Sequence, residues 1–293
     1  MLLTAFAPAK INLLLAILGT RPDGFHELAS LAAPIALGDT LWLEMPATLP
    51  EDSLHCDYLG VPTDNTNLVL RAAAVFRKCV PATPPVRFTL QKRIPHGAGL
   101  GGGSSDAAST LLLLNEASGR PLSLATLEEL AAAIGSDCPM FLHGRPVIMR
   151  GRGERIETLL PREHAALRGR RLLLFKPDFS VSTAAAYNAM RNLGAPAYAG
   201  ATQALAQLAT WRASPETEPP LFNNMEGVVF AKHLALPVLI KHLQAKFALS
   251  PRMSGSGSAC FAFLPTEFDV APVAKTIREA WGTSAFICET TLL

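Results

Sequence analysis

Pro95-His96-Gly97-Ala98-Gly99-Leu100-Gly101-Gly102-Gly103-Ser104-Ser105-Asp106 is the stretch on which the reading of this chain turns. Upstream, Val86, Phe88 and Leu90 alternate with Arg87, Thr89 and Gln91, the period-two pattern of a half-buried strand that ends at Pro95. Downstream, Ser104 or Ser105 is expected to N-cap a helix running through the leucines at 111–114, with Gly119 and Pro121 stopping it. Glycines between a strand and a helix let the backbone come close to a ligand, and the helix N-terminus offers unpaired N–H groups with a partial positive charge. Together these features make a phosphate cradle.

The pattern narrows which phosphate compound is meant. Gly97, Gly99 and Gly102 match the spacing of a dinucleotide fingerprint, but the preceding strand alternates where a buried parallel strand would be continuously apolar. A dinucleotide-dependent oxidoreductase is therefore the second reading. No glycine in the chain is followed by lysine, which excludes a P-loop. A second cluster of small residues, Ser254-Gly255-Ser256-Gly257-Ser258-Ala259, precedes an expected strand at 259–264 and is placed to close the far side of a cleft.

Outward from the loop, residues 8–17 read as a strand with Lys10 and Asn12 on one face and Ile11, Leu13, Leu15 and Ile17 on the other. Residues 19–27 form a turn-rich loop around Pro22 and Asp23-Gly24. A helix at 124–134 carries Leu124, Leu127, Leu130, Ala131 and Ile134 on one face. The second half alternates: strands at 172–175, 259–264 and 284–289, helices near 183–192, 202–211, 234–247 and 271–281, and a loop at 212–220. Periodicity lapses near 150–165, which sets two expected domains, 1–155 and 156–293.

Composition bounds the class. The 293 residues carry a formal charge of +2, with 49% hydrophobic and 17% charged side chains, too apolar for a disordered chain and too balanced for a general polyanion binder. Five cysteines without a CxxC point away from a disulfide framework or structural zinc and toward a reducing cytoplasm. The apolar run at 13–18 is far below the ~20 residues of a membrane span, and no positive charge stands before Lys10, so neither a signal peptide nor a membrane segment is expected. Residues 145–171 hold eight arginines against three glutamates. Without interleaved aromatics this reads as a solvated hairpin adding positive field rather than a nucleic-acid surface.

Five segments in order resemble the GHMP kinase superfamily and, within it, the 4-diphosphocytidyl-2-C-methyl-D-erythritol kinases. They are Pro8-Ala9-Lys10-Ile11-Asn12-Leu13; Gly19-x-Arg21-x-Asp23-Gly24-Phe25-His26; the 95–105 loop; Gly135-Ser136-Asp137-Cys138-Pro139; and Arg252-Met253-Ser254-Gly255-Ser256-Gly257. The second discriminates, because galactokinases, mevalonate kinases and homoserine kinases lack it. The resemblance implies an α+β, two-domain GHMP kinase fold. Its N-terminal domain is like ribosomal protein S5 domain 2, its C-terminal domain is ferredoxin-like, and the active site lies between them. It implies ATP with Mg2+, transfer of a phosphoryl group to the 2-hydroxyl of the cytidyl substrate in the non-mevalonate isoprenoid route, and no nucleic-acid or membrane partner.

Residue by residue, the resemblance puts the catalytic pair on Lys10 and Asp137 and the ATP loop on Pro95, His96, Gly97, Ala98, Gly99, Leu100, Gly101, Gly102, Gly103, Ser104 and Ser105. It puts the cytosine edge on His26, the sandwiching aromatics on Phe25 and Tyr187, and substrate contacts on Asn12 and Thr183. Asn65 and Asn67 both suit an adenine-pocket asparagine, and Asn67, before Leu68, fits the pattern better. The chain departs with Phe25 where tyrosine is common and Asp106 where asparagine is frequent. By itself Asp137 reads equally as the cap of a short helix beginning near Pro139, and Asp106 as a carboxylate favouring the helix dipole. A catalytically silent nucleotide-binding relative is the remaining alternative. The magnesium ligands and the oligomeric state are not legible.

Overall fold

The computed structural model describes residues 2–46 and 48–293. Its strands are β1 (Leu2–Thr20), β2 (His26–Glu44), β3 (Ser53–Cys56), β4 (Arg87–Gln91), β5 (Val147–Gly151), β6 (Arg155–Thr158), β7 (Arg171–Lys176), β8 (Phe222–Asn223), β9 (Arg252–Met253), β10 (Cys260–Phe263) and β11 (Phe286–Thr291). The helices are α1 (Leu68–Cys79), α2 (Gly102–Ala117), α3 (Leu124–Ile134), α4 (Cys138–Phe141), α5 (Pro161–Leu167), α6 (Thr183–Leu193), α7 (Ala201–Ala213), α8 (Met225–Lys232), α9 (Ala235–Phe247) and α10 (Ala271–Trp281). A larger sheet runs β3-β4-β2-β1-β8, with β5 beside β2 and β6 beside β5. A smaller one runs β11-β7-β10-β9. This is the expected α+β class. No helix among the described residues is long and apolar enough to cross a membrane.

Two compact units interleave along the chain. The first takes the chain up to Ala9, Leu37–Ile94 and Gly101–Gly144; the second takes Lys10–Ala36, Pro95–Leu100 and Arg145–Leu293. The expected division at 155/156 is a single cut, whereas these units share the two nineteen-residue strands. The reason lies in β2. Its Thr40–Glu44 end pairs with β4 in the first unit, and its Leu28–Ala32 portion pairs with β5 in the second.

In the first unit α1, α2, α3 and α4 pack together. Val69, Ala72, Ala73 and Phe76 of α1 and Ala107, Ala108, Leu111 and Leu114 of α2 are buried there. Helix α2 begins earlier than expected. Its N-cap is Gly101, at φ 73° and ψ 15°, and not Ser104 or Ser105. Glycine tolerates this left-handed conformation, so the chain turns into the helix before the serines and draws them into its first turn. Helix α3 is capped by Ser123, whose Oγ accepts from Thr126 N at 3.2 Å. It buries Leu127, Ala131 and Ile134, while Leu124, the first helical residue, stays exposed.

In the second unit β7 is paired antiparallel with both β10 and β11, a register that buries Leu172, Leu173, Leu174 and Phe175 completely. Helices α9 and α10 pack together, as do α6 and α8. The arginine-rich stretch forms the β5–β6 hairpin, α5 and the start of β7. Its charge is met locally: Arg155 pairs with Glu27 at 2.7 Å, Arg150 with Glu157 at 3.7 Å and Arg171 with Glu289 at 2.6 Å. Phe261 on β10 is fully buried with its ring edge-on to Phe263. Phe261→Ala should lower unfolding free energy by about 3–5 kcal/mol, read from urea denaturation.

Candidate active site

In the second unit the glycine loop is held by its main chain. Lys10 N donates to Leu100 O at 2.9 Å and Ala259 N donates to Ala98 O at 3.0 Å. Ser254 Oγ donates to Gly99 O at 3.3 Å. Gly99 has φ +76°, and a Cβ there would stand 2.4 Å from Ser254 O and 2.9 Å from Gly257 N. Loop 95–100 and turn 254–258 therefore touch backbone to backbone. The turn is itself braced: Asn223 Nδ2 donates to Met253 O at 2.9 Å and Gly255 O at 2.8 Å, and Glu226 accepts from Met253 N at 2.9 Å.

Strand β1 carries Lys10 and Asn12 in this unit, both nearly buried. Lys10 Nζ donates to Asn12 Oδ1 at 2.6 Å, Asn12 Nδ2 donates to Ser30 Oγ at 2.9 Å, and Ser30 Oγ donates to Leu14 O at 2.7 Å. Each donor in this chain fixes the next acceptor, so the Asn12 amide can face only one way. An ammonium is thus held two residues from a fixed amide, beside a loop suited to phosphate.

The turn at 21–25 presents Phe25 and His26. Phe25 is half-exposed, with the Arg152 guanidinium 4.8 Å from its ring centroid. His26 is buried, with ring centroids 4.8 Å from Tyr187 and 5.9 Å from Tyr198. The Tyr198 hydroxyl lies 3.4 Å from His26 Nε2 and 2.9 Å from Thr20 Oγ1. Burial, with help from the Arg191 charge, pulls the imidazole below its ordinary value and keeps it neutral, with one nitrogen donating and one accepting. Arg191 also donates to Gly24 O at 2.9 Å and anchors the turn to α6. The Thr183 and Ser256 hydroxyls are 2.7 Å apart.

The first unit holds Gly101, Gly102, Gly103, Ser104 and Ser105 in the cap and first turn of α2. No acidic residue lies in that turn, and Ser105 Oγ is buried with no hydrogen-bond partner among the described residues. An unfilled hydroxyl at a helix N-terminus suits phosphate oxygens. Asn67 caps α1: its Oδ1 accepts from Val69 N at 2.9 Å and its Nδ2 donates to Pro62 O at 2.6 Å. Asp137 occupies the N-cap position of α4, but its side chain makes no capping hydrogen bond. Next to it the Cys138 thiol is pushed up to about 12 by burial, which a hydrogen bond from Ser104 only partly offsets, so it is not a nucleophile.

Asp106 differs from its expected role. It lies beyond the first turn of α2, buried, with Oδ2 2.7 Å from Lys92 Nζ. Lys92 also pairs with Asp39, leaving two carboxylates on one ammonium. Burial disfavours charge on Lys92, yet Asp106 and Asp39 outweigh it and hold the ammonium above its ordinary value. Burial raises Asp106 to about 7, with Lys92 opposing and Asp39 adding to the shift. The helix dipole is a minor influence there because it fades beyond the first turn.

Sequence reasoning overlooked Tyr198, Ser30, Asn223 and the Asp39–Lys92–Asp106 cluster. Tyr198 follows a short 3-10 turn at Ala195–Ala197, where no periodicity marks it. Asp39 and Lys92 are separated by 53 positions and meet only through the β2–β4 pairing.

Two outcomes follow. Gly99→Ala must push the two loops apart and should cost about 2 kcal/mol or more by urea denaturation. For Asp106, the folded carboxyl ionises near 7 and the unfolded one near about 3.9, so folding takes up a proton between those values and stability falls as pH rises through that window. The melting-temperature advantage of Asp106→Asn over wild type should therefore grow from pH 5 to 7 and level off above. A constant difference from pH 5 to 8 would rule Asp106 out as the titrating group.

A sequence profile described as the GHMP kinases N terminal domain matches residues 67–145. The chain is similar to a 4-diphosphocytidyl-2-C-methyl-D-erythritol kinase of Methylacidiphilum infernorum, 39% identical over 268 residues that span 90% of this chain and 87% of the relative. The kinase of the same name from Gloeobacter violaceus is 36% identical over 288 residues, 97% of this chain and 93% of its own. The crystal structure of a 4-(cytidine 5'-diphospho)-2C-methyl-D-erythritol kinase aligns with a TM-score of 0.77 at 35% identity, covering 99% of both chains. A mevalonate kinase from Methanococcus jannaschii shares the fold alone, with a TM-score of 0.69 at 11% identity, 100% of this chain and 98% of that one. Identity at this level over nearly the whole length means that the chain belongs to the 4-diphosphocytidyl-2-C-methyl-D-erythritol kinase family of GHMP kinases.

Proposed function

We propose that this chain transfers the γ-phosphoryl group of ATP to the 2-hydroxyl of 4-diphosphocytidyl-2-C-methyl-D-erythritol, releasing ADP, and that it acts in the cytoplasm in the non-mevalonate route to isoprenoids. The observation that carries the reading is the glycine loop, side-chain-free where it meets turn 254–258 and continuing into a helix whose first turn has no carboxylate and one unfilled hydroxyl. Five free cysteines suit a reducing compartment.

Phosphoryl transfer asks for alignment and charge neutralisation more than for covalent participation. Backbone N–H groups of Gly101, Gly102, Gly103 and Ser104 and the Ser105 hydroxyl cradle the phosphates. Lys10 balances charge on the transferred group, and its tie to Asn12 keeps the ammonium in place. Asn12 and Thr183 contact the substrate's alcohol and phosphate groups. Asp137 orients the 2-hydroxyl and takes its proton late, because an alcohol is far too weak an acid to be ionised beforehand by a carboxylate. The new bond joins the substrate oxygen to phosphorus, the bond from that phosphorus to the β-phosphate oxygen breaks, and ADP leaves with the electron pair.

Neutral His26 pairs with the cytosine edge, while Phe25 and Tyr187 supply ring faces for the base. Asn67 borders the adenine pocket through the α1 cap. ATP supplies the phosphoryl group, and Mg2+, when bound, would screen its charge. No group of three or more His, Cys, Asp or Glu among the described residues could hold a metal, which suits an ion carried by phosphate oxygens and water. No nucleic-acid or membrane partner is part of this reading.

Incubation with Mg-ATP and the cytidyl substrate should form ADP and the 2-phosphate in equal amounts; ADP formation no faster than without substrate would overturn the assignment. Asp137→Asn should lower kcat at least a hundredfold with the Kd for ADP within about threefold of wild type. Near-normal turnover in that variant would remove Asp137 from the chemistry.

A further inference from the structure

The glycine loop leaves the first unit at Ile94 and returns at Gly101. Both ends meet one cluster of buried charges. Asp39 Oδ1, from the fully buried carboxylate on β2, accepts from Arg93 N at 2.5 Å and Ile94 N at 2.8 Å, the last two residues before the loop. Its other oxygen takes Lys92 Nζ, which donates also to Asp106 Oδ2 at 2.7 Å on α2, the helix that follows the loop. The two ends come close: a Cβ on Gly102 would lie 3.2 Å from Ile94 Cγ2 and 3.5 Å from Asp39 Oδ2. Lys92 N is itself held by Asp57 Oδ1 at 2.8 Å.

We propose that Asp39, Lys92 and Asp106 are positioning residues for nucleotide binding, a clamp that fixes the chain where it departs into the glycine loop against the helix to which it returns. Nothing in this role requires them to touch the nucleotide. Three ionisable side chains buried together stabilise a fold poorly compared with apolar groups of equal volume, and the attested use of such clusters is to specify one geometry. The specified geometry here is the spacing across a six-residue loop, Pro95–Leu100, whose glycines cannot define it by themselves. Asp39 also pairs two backbone N–H groups that β4 leaves behind when it ends at Gln91.

The inference rests on the glycine loop being the nucleotide site. Its test therefore reads ADP binding by calorimetry beside the steady-state kinetics. Lys92→Gln should weaken ADP binding and raise the KM for ATP at least tenfold, with the KM for the cytidyl substrate within twofold of wild type. Asp106→Ala should do the same, whereas Asp106→Asn, which keeps an acceptor for Lys92 Nζ, should restore ADP binding to within threefold. Where Lys92→Gln does not fold, Lys92→Met combined with Asp39→Asn and Asp106→Leu keeps volume and removes all three charges, and its ADP affinity must also fall tenfold. Folded variants that bind ADP like wild type, or that raise both KM values equally, overturn the clamp. Wild type that binds no ADP overturns the nucleotide reading on which the clamp rests.

Discussion

A backbone that carries no side chain at residue 99 is the constraint around which the second unit is organised. With Ser254 O placed 2.4 Å from any added Cβ, Gly99 and turn 254–258 meet at a separation only bare main chain permits. The turn must then be held without help from bulky side chains, and Asn223 and Glu226 do this through hydrogen bonds to its backbone. Lys10 joins the same arrangement from β1 by donating its own N–H to Leu100. Peptide groups and one fixed ammonium are what such a site offers to a ligand.

Much of the site was legible because its chemistry is local in sequence. The loop from 95 to 105, the pairing of Lys10 with Asn12 on one face of a strand, and the Phe25–His26 turn each announce themselves within a dozen residues. Alternation and turn chemistry placed β4, α3, α6, α9 and α10 close to where they occur, since each has one buried face and a clear stop. The N-cap of α2 was misplaced because side-chain capping rules favour serine, whereas here a glycine in left-handed conformation begins the helix. Short elements such as β8, α5 and α8 carry too few residues for a period to show.

What stayed hidden depends on pairing across long stretches of chain. Asp106 looked like a helix-dipole carboxylate because nothing near it in sequence reveals Lys92 and Asp39. Only the antiparallel register of β2 with β4 brings the three together. Tyr198 against His26 is the same kind of case, an aromatic from an irregular segment reaching a residue 172 positions away. The arginine-rich stretch shows the converse: part of its excess charge is met by Glu27, Glu218 and Glu289, far off in sequence.

The interleaving of the two units bears on how the chain must fold. Ile35 bridges Leu292, and Leu293 N donates to Pro34 O, so strand β2 finds some of its partners more than 250 positions downstream. Strand β11 likewise completes β7 more than a hundred positions upstream. The second unit cannot complete its core until residues 286–293 have joined β2 and β7. Pairing segments this far apart raises the contact order of the second unit, and such contacts form slowly, with strand edges exposed in the interval.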